Sequence, residues 1–108
     1  MRKLSLDALA REHLERAAAS TGRGASTVYG GHEHVLRRTL LALTAGTSLA
    51  DHENPGEATL LLRGRVRLTS GDTDWEGRSG DLITVPDARH GPEALEDSAV
   101  LLTVVRTD

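Results

Sequence analysis

The chain has no cysteine and no phenylalanine, a single tryptophan, a single tyrosine and no long apolar run. Without cysteine there are no disulfides, no thiolate nucleophile and no cysteine-based zinc or iron–sulfur site. The scarcity of aromatic rings leaves the core to Leu, Val, Ile and Ala. It also argues against a stacking platform for single-stranded nucleic acid. No stretch approaches the roughly 18 apolar residues of a membrane span, and Met1-Arg2-Lys3-Leu4 opens onto no apolar segment of signal-peptide length. A cytoplasmic protein with neither nucleic acid nor membrane as partner is the expectation.

Charge is present but divided. Residues 1–50 carry seven basic and four acidic side chains, residues 51–108 six and twelve. No basic stripe is continuous enough to follow a phosphate backbone, which again excludes nucleic acid. A length of 108 residues fits one domain with one modest core.

Residues 5–20 read as a helix. Ser5 is placed to cap it, and Leu6, Leu9, Ala10, His13, Leu14 and Ala17 recur on one face. Arg11 with Glu15 and Glu12 with Arg16 stand four apart on the other side. His13 falls on the inner face as a packing residue with one ring nitrogen hydrogen-bonded. Ser20-Thr21-Gly22-Arg23-Gly24 ends the element.

Beyond residue 25 the period changes to that of strands. Segments at 26–29, 34–43, 57–63, 65–69, 73–76, 82–85 and 98–106 are separated by glycine turns, a spacing typical of a sandwich or barrel. Val66 and Leu68 alternate with Arg65 and Arg67, so the aliphatic pair faces a core and the arginines face water. Leu60-Leu61-Leu62 and Val100-Leu101-Leu102 are apolar on both faces, so each needs two covers. A second sheet, a helix or a subunit interface would serve, and a homodimer is expected on this ground.

Two segments carry the candidate chemistry. Gly46 leads through a strand-length stretch to His52, with Asn54 and Glu57 close behind, and Gly80 leads through Pro86 to His90. A small closed barrel can bring the two histidines to one interior point. His52, Glu57 and His90 would then form a two-histidine, one-carboxylate set for a divalent first-row metal, with positions left open. By alternation Thr59, Leu61 and Arg63 share the face of Glu57 and would line a substrate pocket. Arg63 would there hold an anionic group or pair with Glu57, or else swing past Gly64 to solvent. Asn54, before Pro55, is a turn former or an additional ligand. His32 and His34 form a second same-face pair, either satisfied at a strand end or supplying a further imidazole.

In these residues the chain resembles the small single-domain cupins. The first motif of that family runs glycine, five residues, histidine, one residue, histidine, three or four residues, glutamate, six residues, glycine. Gly46, His52, Glu57 and Gly64 match it, with Asn54 in place of the second histidine and two residues before Glu57. Gly80, Pro86 and His90 match the second motif, with Ala88 for its inner glycine. The resemblance implies an all-β, cupin-type double-stranded β-helix (jelly-roll barrel) with one N-terminal α-helix. Residues 1–24 would be helix and linker, and 25–108 the barrel. It also implies iron, manganese, nickel or zinc on His52, Glu57 and His90. The family spans oxygenases, isomerases, storage proteins and sensors, so the fold leaves three functions open. These are a small-molecule or metal-binding protein, a metal-dependent enzyme of oxygenase or isomerase type on a small organic substrate, and a dimerisation module with an empty barrel.

Overall fold

The computed structural model describes residues 3–30, 35–49, 58–84 and 89–105, with the side chains of 58 and 60–62 left aside. Among the described residues one helix, α1 (Leu6–Ala18), precedes eight strands: β1 (Arg23–Tyr29), β2 (Leu36–Leu43), β3 (Ala58–Arg63), β4 (Arg65–Ser70), β5 (Thr73–Arg78), β6 (Leu82–Thr84), β7 (Gly91–Ala94) and β8 (Ser98–Val105). The protein is mostly β, as its glycine-punctuated alternation predicts. Five strands form one sheet in the order β1-β2-β8-β3-β6, and three form a second in the order β5-β4-β7. All pairings between strands are antiparallel.

The helix starts where its cap predicts. Ser5 Oγ accepts from the Ala8 amide at 3.2 Å, and the Gly22 amide, at φ +88°, closes the other end on the Ala17 carbonyl at 2.8 Å. Glu12 and Arg16 pair at 2.7 Å on the exposed side. His13 Nδ1 bonds the Leu9 carbonyl at 2.8 Å, the local role foreseen for it.

Ala10 and Ala17 are buried where α1 lies across the larger sheet, touching β1, β2, β3 and β8. Unbroken pairing of β2 with β8 sets Leu40 opposite Leu101 and Ala42 opposite Ala99. These four residues are buried on the helix-covered side. Small alanines on both partners let the helix approach closely. The second cover sought for the apolar run in β8, on which the expectation of a homodimer rested, is therefore supplied by the chain's own helix.

The other face of β2 and β8 looks toward the second sheet. Leu41, Leu43, Val100 and Leu102 meet Val66 and Leu68 of β4 there. Arg65 and Arg67 turn away from it, as alternation predicts. Arg67 stands between Glu76 and Glu93, at 3.8 and 3.6 Å, on the solvent side of the three-stranded sheet.

Strand β7 is absent from the sequence-based reading because Gly91-Pro92-Glu93-Ala94 contains two residues that disfavour strands. Its partners make it one. It pairs with β4 along one side. On the other side Gly46, Thr47 and Leu49 exchange backbone bonds of 2.8–3.0 Å with Ala94 and Pro92, and Ser48 bridges Glu93. Proline fits because its missing N–H falls at a position where only its carbonyl is used, by Leu49.

Among the described residues, no helix is long and apolar enough to cross a membrane.

Candidate functional site

Between the sheets lies a cavity. From the larger sheet it is lined by Leu41, Leu43, Thr59, Ile83, Val100 and Leu102. From the smaller sheet and its approach come Val66, Leu68, Pro92 and His90. Eight of these ten side chains are aliphatic, so among the described residues the wall offers polar groups only through Thr59 and His90. The space is narrow. Its volume open to the centre of a water-sized sphere is ≈ 30 Å³, room for about two or three waters.

His90 is wholly buried at the entry to β7. Its position follows from the chain on either side: Ser70 Oγ donates to the Arg89 carbonyl at 2.7 Å, and Gly91 pairs with Thr69. The imidazole is thus anchored through the backbone at both neighbours. The segment starting at Gly46 lies beside the strand that follows His90, so the two glycine-to-histidine segments are neighbours through β7. His52, Asn54 and Glu57, and the pair His32 and His34, lie outside the described residues. Among the described residues no group of three His, Asp or Glu side chains is gathered as for a metal. His90 is the one predicted ligand whose position is described. A buried imidazole in a cavity wall has the chemistry of a hydrogen-bonding group or of a metal donor.

The three residues predicted for the pocket divide. Thr59 lines the cavity. Leu61 pairs in register with cavity-lining Val100, while its side chain lies outside the described set. Arg63 turns to the opposite face. The pairing of β3 with β8 slips between Leu61 and Arg63, so that Arg63 stands opposite Ala99, on the helix-covered side. One extra residue in one strand inverts the alternation beyond it. Arg63 there meets Asp7 of α1 at 3.1 Å. Both partners are substantially exposed, so the pair adds little stability.

A different arginine takes the inner face. Arg37 is separated by even steps from Leu41 and Leu43 along an unslipped strand, and it stands opposite Val104, which shares its face with Leu102 and Val100. Arg37 is half-buried, and its Nε is shielded from solvent with no acceptor among the described residues. Leaving a buried donor unmet costs about 1–3 kcal/mol. Arg65 Nε is also unmet, but on the outer side of β4. The signal for Arg37 is present in the sequence: in a strand with adjacent Arg37 and Arg38, alternation sends one of the two inward.

No protein-family model matches the chain, and no curated protein matches it. Solved structures do. The TT1209 protein of Thermus thermophilus aligns over 99% of this chain and 100% of its own, with a TM-score of 0.77 at 22% identity. A cupin superfamily protein from Desulfitobacterium hafniense aligns over 79% of this chain and 78% of its own, with a TM-score of 0.70 at 17% identity. A conserved protein of unknown function from Streptococcus pyogenes covers 80% of this chain and 75% of its own, with a TM-score of 0.70 at 25% identity.

Proposed function

We propose that this chain, which has the fold of the small single-domain cupins, binds a small molecule between its two sheets, the sheets closing around it as a double-stranded β-helix. His90 carries this reading, because its imidazole is wholly buried in the wall of a cavity that is otherwise aliphatic apart from Thr59. Imidazole both hydrogen-bonds and ligates divalent first-row metals. In this reading His52 and Glu57 join His90 around iron, manganese, nickel or zinc, with Asn54, His32 and His34 as additional donors. Such an ion, when bound to three protein donors, would keep coordination positions open. Thr59 and Leu61 belong to the pocket and Arg63 does not. A homodimer, in this reading, uses a surface other than the one α1 covers.

Binding is preferred to oxygenase or isomerase catalysis because the polar groups of the described wall are limited to Thr59 and His90. Metal content measured on protein purified without a histidine tag, and after incubation with each of the four metals, tests the reading. One ion per chain is expected, with uptake abolished in His52→Ala and in His90→Gln. Undiminished uptake in both variants would reject the ligand set.

A further inference from the structure

We infer that the ligand of this cavity is a short aliphatic carboxylate, its carboxylate held by Arg37 and its alkyl chain packed between the sheets. The inference rests on the proposed reading of the cavity as a binding site and names the class of molecule it takes.

Three observations converge. The first is the wall: Leu41, Val66, Leu68, Ile83, Val100 and Leu102 present only methyl and methylene groups. A sugar or other polyol buried there would find, among the described lining, only Thr59 and His90 to pair its several hydroxyls, whereas an alkyl chain needs no partner. The second is Arg37, which by register stands on the same inner face. Its row, shared with Val104, is one two-residue repeat from that of cavity-lining Leu102, or about 7 Å along the strand. The third is chemical. A guanidinium on an inner face, beyond the described lining of the cavity and meeting no acceptor at Nε among the described residues, is suited to a planar oxyanion brought to its end nitrogens, where charge-assisted hydrogen bonds form. Arg16, Arg63 and Arg67, in contrast, each meet a carboxylate of the chain itself.

The dimensions bound the ligand. A space for about two or three waters accommodates roughly three carbon atoms, and a chain of that length with the arginine side chain bridges the interval between the two rows. Arg37 thus takes the anion-holding role that alternation alone assigned to Arg63.

Butyrate and butan-1-ol, which share one alkyl chain and differ in charge, separate the claims when titrated into the full chain and followed by methyl NMR. Butyrate is expected to shift the Leu41, Val100 and Leu102 methyls with an affinity at least about tenfold above that of butan-1-ol. Arg37→Gln should abolish that preference while leaving weak binding of the alcohol, and Arg37→Lys should keep part of it. Arg67→Gln, on the outer face, should leave the preference intact, and melting curves verify that each variant is folded. Equal affinity for the two probes, or a preference that survives Arg37→Gln, overturns the carboxylate assignment. So does the absence of methyl shifts with either probe. The proposed function stands or falls separately, on metal uptake in the His52 and His90 variants.

Discussion

Gly64 and Ser98 meet at the corner where β3 passes into β4, and their contact explains why this corner accepts so few residues. Gly64 adopts φ +95°, and a Cβ there would collide with Ser98 Oγ and the Asp97 carbonyl. Buried Ser98 accepts from the Arg65 amide at 3.1 Å and donates toward the Glu96 and Arg65 carbonyls at 2.8 and 3.2 Å. Gly64→Ala is therefore expected to destabilise the protein by at least about 2 kcal/mol in urea melts, combining dihedral strain with the clash. Gly80→Ala provides the comparison, since Gly80 has φ +91° but open space around it, so about 1 kcal/mol is expected. Equal losses in the two variants would show that conformation alone matters at Gly64. Ser98→Ala should cost about 1–3 kcal/mol by leaving buried backbone groups short of partners. The spacing of the first motif made a glycine at this position legible, but nothing in the spacing told which atoms forbid a side chain.

At the scale of elements, legibility followed the range of the forces that build each one. The helix depends on its own cap, periodicity and stop signal, and its observed bounds lie within two residues of those expected. Strands β4 and β8 carry patterns strong enough to survive without knowledge of their neighbours. Strand β7 does not, since Gly91 and Pro92 become strand only between β4 and the 46–49 segment. The slip in β3 is likewise invisible to alternation, which assumes unbroken register, and it reversed the face of Arg63. Close seating of α1 gives a test at this scale. Ala17 is buried at 2% exposure, so Ala17→Leu overfills the contact and should cost about 1–3 kcal/mol. Exposed Ala18→Leu is expected to be near neutral. A neutral Ala17→Leu would mean that the helix is loosely held.

For the molecule as a whole, the cavity joins the two sheets, so occupancy and stability are linked. If the proposed ion binds the folded chain alone, chelation should lower the thermal midpoint, by about 2.7 kcal/mol of stability at a metal concentration one hundred times Kd. An unchanged midpoint after confirmed metal loss would show that the aliphatic core sustains the fold unaided. Of the residues singled out in the sequence, His90 and Thr59 stand at the cavity, while which of Arg37 and Arg38 turns inward needed register, a whole-sheet property.

The position of β8 has a further consequence. Strand β8, the last of the described strands, lies between β2 and β3, near the middle of the larger sheet. During synthesis, β2 and β3 therefore cannot complete their native pairing until residues 98–105 have emerged. Until then the unpaired strands are open to other nascent chains or to chaperones. Completion of the larger sheet thus depends on translation through Val105 rather than on the earlier appearance of its first strands.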